Sequence, residues 1–233
     1  MAARHFAFDR FATGHYARIV QSGGRLAVAR AKDESKDQSY FLWGLSQEQL
    51  ARAMFPLGEL TKADVRKLAA EAGLPMADKP DSQDFYSGDC TELLDKTDRD
   101  GEIVSTDGKV LGSHRGYWRY TVGQWKGLGI GGGTPFYVLK VDKEANRVVV
   151  GTRDEAVRTE FRMQPANWMA IEPTEGKIDG FVKIRSNGSP VGPASLENGV
   201  VSVPGGIFGV APGQSAVIYS PSGVILCGGV IEG

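Results

Sequence analysis

The first thirty residues alternate apolar and polar positions in the way that predicts short β-strands. Residues 11–18 form one β-like stretch, and the alternation resumes over residues 26–31. Gly23-Gly24 lies between the two stretches, and paired glycines at such a position are a hairpin signal. The pattern therefore predicts an antiparallel hairpin near the start of the chain.

The apolar spacing then becomes helical. Ser46 is followed three residues later by Gln49, which is the spacing of a capping box, and Pro56 ends the predicted helix. The stripe that this helix is predicted to bury consists of Leu50, Ala53 and Met54.

A second helix is predicted after Thr61, which caps it and is followed by Asp64 in the first turn. Gly73 stops this helix. The apolar residues that recur on one of its faces at helical spacing are Val65, Leu68, Ala69 and Ala72.

From about residue 100 the chain changes to short apolar stretches separated by turn signals, among them Asp107-Gly108, Asn198-Gly199 and residues 221–223. Evenly spaced short strands of this kind are typical of a small barrel or sandwich. The chain is therefore predicted to be α+β and mostly β. The predicted strands cover residues 136–141, 147–151, 181–185, 200–203, 216–219 and 224–230.

Composition excludes several classes of protein. The chain has 233 residues, of which 41% are hydrophobic, and 27 Lys and Arg stand against 28 Asp and Glu. Neither a disordered nor a fibrous chain is expected from these values. No apolar run is long enough to cross a membrane, and the first six residues form no signal-peptide core. The protein is predicted to be cytoplasmic, with no membrane partner.

Residues 127–133 contain the spacing G-x-G-x-x-G. A dinucleotide site needs a strand before this segment and a helix after it, whereas the residues that follow predict a strand. A flexible loop is the favoured interpretation. The three histidines and the two cysteines are far apart in the sequence, so no metal site is expected.

Three polar clusters carry candidate chemistry, and the residues alone leave two interpretations of each. Residues 12–18 place Gly14 directly after a β-like stretch, which suits either the close approach of a ligand or a simple strand end. Residues 36–39 are either a phosphate or base contact or a solvated loop. Residues 81–86 bring two carboxylates near a phenol, either for acid–base chemistry or as a polar connection between domains.

A series of motifs extends these clusters along essentially the whole chain. They are A-T-G-H-Y-A-R at 12–18, K-D-Q-S-Y-F-L at 36–42, F-P-L-G at 55–58, D-S-Q at 81–83, Y-T-V-G-Q at 120–124, K-G-L-G-I at 126–130 and P-G-Q at 212–214. Taken together and in order, they resemble the bacterial tRNA-specific 2-thiouridylases, the MnmA/TrmU family. Motifs in this order and at this spacing are very specific.

The resemblance implies an activity, partners and a domain order. The family activates C2 of the wobble uridine of certain tRNAs with ATP (and Mg), and then replaces the oxygen with sulfur from a persulfide-donating sulfur-carrier protein. Its members have a PP-loop α/β domain, a small central β domain and a C-terminal β-barrel, of which the last two grip tRNA. Residues 1–95 would be the C-terminal part of the catalytic α/β domain, residues 96–160 the central domain and residues 161–233 the barrel.

The resemblance also implies roles for individual residues. Gly14 would lie against the adenylate, and His15 would approach the tRNA or its target nucleotide. The further residues implied to contact tRNA are Lys36, Asp37, Gln38, Lys126, Arg185, Ser186 and Gln214.

The sequence departs from the family where the chemistry occurs. The S-G-G-x-D-S phosphate loop and the upstream cysteine nucleophile are absent from it. Tyr86 occupies the position of the second family cysteine, and a phenol cannot carry a persulfide. Cys90 is the nearest thiol, either as a substitute carrier or as an ordinary loop thiol. Trp125 stands where the family has arginine. No catalytic residue is assigned, and no cofactor is expected for this chain alone.

Three hypotheses follow from this combination of resemblance and departure. The chain is a partial tRNA 2-thiouridylase that is inactive by itself, a non-catalytic tRNA-binding protein, or one subunit of a split enzyme whose PP-loop half is a separate polypeptide. The coding region upstream discriminates among them. An in-frame PP-loop supports the first hypothesis, a separate PP-loop gene supports the split enzyme, and neither supports the binding protein.

Overall fold

A computed structural model describes residues 8–74, 98–131 and 135–233 of the chain. Contacts between residues divide the protein into two compact units. The first unit contains residues 1–79, 160–205 and 212–233, and the second contains residues 80–159 and 206–211. The N-terminal segment and most of the C-terminal strands therefore belong to one unit.

The first unit contains a hairpin at the predicted glycine pair, formed by strands β2 (Ala17–Ser22) and β3 (Arg25–Arg30). Its first strand overlaps the predicted stretch 11–18 only at residues 17–18. Gly23 and Gly24 join the two strands with φ values of 57° and 82°, which is the region that favours glycine at a tight hairpin turn. Before the hairpin, residues 11–12 of the first predicted stretch form a separate short strand, β1 (Phe11–Ala12). Strand β1 pairs in parallel with β4 (Ala53–Met54).

Both predicted helices form. The first, α1 (Gln47–Arg52), begins with the predicted Ser46–Gln49 capping box. It ends at Arg52 rather than at Pro56, because Ala53 and Met54 leave it as β4. The predicted stripe is wrong at Met54, which is 45% exposed, whereas Leu50 is buried.

The second helix, α2 (Lys62–Glu71), is capped by Thr61, and Asp64 completes a capping box with it. Gly73, at φ 66°, follows its end as predicted. Leu68 on its apolar face is 51% exposed, so this face is not buried against the residues that the structure describes.

The C-terminal strands close into a six-stranded barrel in the order β10-β11-β12-β9-β14-β13, and the last strand pairs again with the first. The predicted Asn198-Gly199 turn joins β11 to β12, with both residues at positive φ. The structure thus decides for a barrel and against a sandwich. The strands are β9 (Val157–Trp168), β10 (Ile178–Lys183), β11 (Val191–Glu197), β12 (Val200–Phe208), β13 (Ser215–Tyr219) and β14 (Ile225–Ile231).

Strand β13 explains why the N-terminal segment belongs to the barrel's unit. Residues 216–219 of this strand are all buried. Because alternate side chains of a strand point to opposite faces, both faces of β13 are covered. Val217 and Tyr219 pack into one hydrophobic cluster with Val28 of the hairpin and Leu50 of α1. The same cluster includes Met169, which follows β9. The hairpin and the outer face of the barrel therefore share a core.

Polar contacts reinforce this shared core. The Arg25 guanidinium donates to the carbonyls of Trp168 and Met169, each at 3.0 Å, and forms an ion pair with Glu172. The side-chain amide of Asn167 donates to two carbonyls of the segment before α1. Hydrogen bonds to backbone carbonyls thus hold residues 8–60 and the barrel together, in addition to the apolar contacts.

The second unit contains a four-stranded sheet in the order β6-β5-β8-β7. Its strands are β5 (Gly101–Ser105), β6 (Val110–His114), β7 (Tyr137–Asp142) and β8 (Arg147–Gly151). The predicted Asp107-Gly108 turn joins β5 to β6, and Gly108 has a φ of 86°. Ile103, Val138, Val148 and Val150 form its fully buried core together with Leu128 from the loop before β7. Residues 135 and 136 lead into β7, where a dinucleotide site would need a helix.

Candidate nucleic-acid interface

The Asp37 carboxylate lies inside the first unit, where it faces two cations. Its Oδ2 atom is 3.5 Å from Lys183 Nζ and 3.7 Å from Arg30 Nε. The side chains of Asp37 and Lys183 are only 1% and 4% exposed. The carboxylate of Asp37, a residue for which the family resemblance implies a tRNA contact, is therefore part of an internal ion cluster.

Hydrogen bonds fix the same carboxylate. The backbone amides of Ala31 and Ser39 donate to Asp37 Oδ1 at 3.1 and 3.2 Å, and the Ser39 hydroxyl donates to Oδ2 at 3.0 Å. Ser39 also shares a 3.1 Å hydrogen bond with the hydroxyl of Tyr219, whose pKa burial raises strongly. Burial likewise lowers the pKa of Lys183, against the opposing effect of the Asp37 charge. The cluster therefore connects residues 37–39 to strands β10 and β13.

Gln38 holds the segment that carries His15. Its side-chain oxygen accepts from the amide of Tyr16 at 3.0 Å, while its own backbone amide donates to the Tyr16 carbonyl at 2.9 Å. The His15 ring is positioned from two sides, by a 2.8 Å hydrogen bond between Thr13 Oγ1 and its Nδ1 atom and by an edge contact with Phe55. Gln38 is thus placed to orient His15.

The residues that follow connect this segment to the neighbourhood of Gln214. The Tyr40 hydroxyl donates to the Ser215 carbonyl, and Trp43 Nε1 donates to the Ser215 hydroxyl, each at 3.0 Å. A β-carbon at Gly228 would lie only 2.7 Å from the Trp43 ring, so glycine makes room for the indole on the barrel. Gln214 itself is exposed directly before this attachment.

Arg185 lies close to the same segment. It follows the end of β10, two residues after Lys183, instead of lying within the predicted strand 181–185. Burial raises the pKa of Tyr40, and the nearby charge of Arg185 opposes that rise. Arg185 and Ser186 are both half-buried. Hydrogen bonds thus connect residues 14–16, 36–40 and 214–215 on one unit, and Arg185 and Ser186 follow shortly after Lys183, which pairs with Asp37.

Gly14 is exposed in this arrangement, and neither its backbone nor its packing requires glycine. Its φ is outside the left-handed region, and an added β-carbon would meet only Leu57 Cδ1, at 3.8 Å. The open space beside its backbone is what a ligand that approaches the main chain would need.

Lys126 belongs to the second unit and is exposed beside Trp125. Its Nζ atom lies 5.1 Å from the centroid of the Trp125 ring. The polar cluster of residues 81–86, which includes Tyr86, and Cys90 lie outside the described residues.

The described residues contain no cluster of three or more His, Cys, Asp or Glu side chains that would hold a metal ion. Within the same part of the chain, no helix is long and apolar enough to cross a membrane. Cys227 is fully buried in β14, and burial raises the pKa of its thiol to about 12. Such a thiol is inert as a nucleophile at neutral pH.

Sequence reasoning missed Lys183 and Arg30 as members of the site. Lys183 did carry a signal, because it interrupts an apolar strand at a position where a charged side chain is buried only with a partner. Its partner Asp37 lies far away in sequence, and no local pattern identifies such a pair.

Three family models match the chain in succession. They are described as the tRNA methyl transferase HUP domain over residues 1–86, the tRNA methyl transferase PRC-barrel domain over residues 93–152 and the aminomethyltransferase beta-barrel domain over residues 158–231. The third match coincides with the observed barrel.

Curated proteins named tRNA-specific 2-thiouridylase MnmA align with nearly all of this chain. The protein of a Synechococcus species is 46% identical over 243 residues, which cover 99% of this chain and 66% of that protein. Those of a Picosynechococcus species and of Nostoc punctiforme are 46% and 45% identical, and in each case the match covers 99% of this chain and 69% of the relative. The chain thus spans about two thirds of the length of these relatives. It belongs to the MnmA/TrmU family of tRNA-specific 2-thiouridylases.

Proposed function

We propose that this chain binds tRNA and serves the ATP-dependent 2-thiolation of the wobble uridine, as the tRNA-gripping part of that activity. The names of its relatives support a tRNA substrate and sulfur transfer to uridine. The observation that carries the proposal is the convergence on one unit of residues 14–16, 36–40, 185–186 and 214–215, which are dispersed in the sequence.

The proposed contacts differ in kind. Lys36 and Arg185 supply positive charge for tRNA phosphates, which is how most protein–nucleic acid affinity arises. Ser186 and Gln214 supply hydrogen-bonding groups at the same surface. His15, oriented by Thr13, approaches the target nucleotide. Asp37 and Gln38 are positioning residues, since their side chains bond within the protein. Lys126 contributes a further cation from the second unit.

We further propose that the chain does not thiolate tRNA by itself. The Gly14 backbone is open to an adenylate, but the sequence holds no S-G-G-x-D-S loop to bind the phosphates, so the residues present do not fit ATP with Mg as a complete site. Activity would require a PP-loop supplied in the same or a separate polypeptide, together with a persulfide-donating sulfur carrier. The three domains 1–95, 96–160 and 161–233 and a cytoplasmic location are part of the same proposal.

A non-catalytic tRNA-binding protein is the second candidate, and Tyr86 at the position of a family cysteine favours it. Incubation with a persulfide donor and a PP-loop partner distinguishes the two. A persulfide trapped on Cys90, lost in Cys90→Ser, supports the transferase. A thiol that never carries persulfide supports the binding protein.

Salt-dependent binding of unmodified tRNA tests the common part of the proposal. The affinity of the full chain should fall steeply between about 50 and 200 mM salt, and Lys36→Ala or Arg185→Ala should each reduce the salt slope by about one. Lys177→Ala is the matched control, because Lys177 precedes β10 whereas Arg185 follows its opposite end. Affinity that ignores salt, or equal effects of Arg185→Ala and Lys177→Ala, would refute the proposed surface.

A further inference from the structure

Trp125 is held at the surface of the second unit by a loop that several hydrogen bonds fix. The backbone amide of Gly123 donates to the Val138 carbonyl at 2.7 Å, and the Val138 amide donates to the Gln124 carbonyl at 2.9 Å. The loop is thereby attached to the start of β7 immediately before the tryptophan.

The side chain of Gln124 fixes the loop on both sides of Trp125. Its oxygen accepts from the Thr121 amide at 3.1 Å, and its nitrogen donates to the Lys126 carbonyl at 2.9 Å. Three residues after Trp125, Leu128 is buried in the core of the sheet. Because both flanks are anchored, the indole is presented from a backbone whose conformational entropy has already been lost.

The indole nevertheless remains 55% exposed. A tryptophan that packed only for stability would bury most of its large apolar surface, and Trp43 does so against the barrel. An exposed tryptophan on an anchored loop is typical of a residue that contacts a partner.

The charge around Trp125 indicates what kind of partner it is. Between Asp107 and Asp142 the sequence contains no Asp or Glu, and it contains Lys and Arg at positions 109, 115, 119, 126 and 140. Two of these cations form ion pairs with carboxylates outside that stretch, Arg119 with Asp98 and Lys140 with Asp142. The Lys126 ammonium lies 5.1 Å from the Trp125 ring centroid. An exposed aromatic ring beside a cation, within an acid-free segment, is the combination with which proteins hold unpaired nucleotides.

We propose that Trp125 is a nucleotide-stacking residue: its indole stacks on an unpaired base of tRNA while Lys126 contacts a neighbouring phosphate. The proposal rests on the tRNA binding proposed above and names a contact by which the second unit takes part in it. Stacking requires a base that is not in a duplex, so the contact selects loops or single-stranded ends of the RNA over its helices.

The test separates the contributions of the aromatic ring and of side-chain size at position 125 from that of the positive charge at position 126. Labelled tRNA is titrated with the full chain carrying Trp125→Phe, Trp125→Leu, Trp125→Ala or Lys126→Ala. Val110→Ala is the matched control, because Val110 is an equally exposed apolar residue of the same unit. Trp125→Ala and Trp125→Leu should weaken binding by about 5- to 100-fold, whereas Trp125→Phe should retain most of the affinity. Trp125→Ala should leave the salt slope unchanged, and Lys126→Ala should reduce it by about one.

Competition experiments distinguish the possible failures. A single-stranded oligonucleotide should lose affinity for Trp125→Ala, and a blunt RNA duplex should not. Equal losses for both RNAs, equal affinities of the leucine and phenylalanine variants, or an effect no larger than that of Val110→Ala would overturn the stacking assignment. If the unsubstituted chain binds no tRNA, the proposed function itself fails; if it binds tRNA and Trp125→Ala binds equally well, only the stacking residue is refuted.

Discussion

In the buried Asp37–Lys183 pair, removal of the carboxylate should destabilise the protein much more than removal of the ammonium group. The Asp37 carboxylate lies 3.5 Å from Lys183 Nζ and 3.7 Å from Arg30 Nε, and Arg30 also pairs with the exposed Glu34 carboxylate at 3.1 Å. Asp37→Asn leaves the Lys183 ammonium buried without its counter-charge, beside the Arg30 cation, which already disfavours the charged form of Lys183. Lys183→Met leaves the carboxylate with Arg30 and with hydrogen bonds from Ala31 and Ser39.

The separations give the size of the effect. At an effective dielectric constant of about 20, unit charges 3.5 Å apart attract each other by about 5 kcal/mol, which desolvation largely offsets. Breaking a buried pair by removing one partner costs about 3–5 kcal/mol, and we expect Asp37→Asn to fall in that range. Lys183→Met should cost about 1 kcal/mol, comparable to one net hydrogen bond, because the carboxylate keeps its other partners. The double variant should be more stable than the sum of the two changes predicts.

Urea denaturation measures these free energies of unfolding. In a Trp118→Phe/Trp125→Phe background the remaining tryptophans, Trp43 and Trp168, both report on the first unit. Lys177→Met is the control, since Lys177 forms a comparable but exposed pair with Asp179. Equal costs for Asp37→Asn and Lys183→Met, or strict additivity in the double variant, would refute the asymmetry derived from the structure.

Three further predictions concern packing, pH and thiol reactivity. Gly58→Ala should destabilise the first unit by about 3 kcal/mol, because the added β-carbon would meet the Ala17 backbone. Gly44 lies in open space, so Gly44→Ala should leave the stability in the same urea assay unchanged. Equal stabilities of the two variants would contradict the close approach of Gly58 to Ala17. Burial lowers the pKa of His114 below 6.5, so the unfolded chain binds the proton more readily than the folded chain. The free energy of unfolding should therefore fall as the pH drops below about 6.5. The His114→Gln variant should lack this pH dependence, and a dependence that persists in it would exclude His114 as the source. Cys227 should resist alkylation at pH 8 until urea unfolds the barrel, with peptide mapping to separate it from Cys90; rapid labelling of the native chain would contradict its burial.

Local sequence pattern was sufficient to predict the helix caps and the tight turns, but not every strand. The Ser46–Gln49 capping box and the turns at Gly23-Gly24 and Asn198-Gly199 formed as predicted, since each depends on interactions within a few residues. Strand β9 was missed although Phe161 and Met163 alternate with polar neighbours in the way of a half-buried strand. Strand β11 was missed because Gly192 and Pro193 are residues that usually argue against a strand.

Motifs of specific order and spacing are enough to identify the family of this protein, and capping and turn residues are enough to dictate its local conformations. Tertiary structure alone decided that the strands close into a barrel and that the N-terminal hairpin shares its core. It also decided that the Asp37 carboxylate faces Lys183 inside the protein. Burial of a charge is acceptable only when a partner from a distant part of the chain meets it, and that meeting is fixed by strand pairing and packing over long sequence separations.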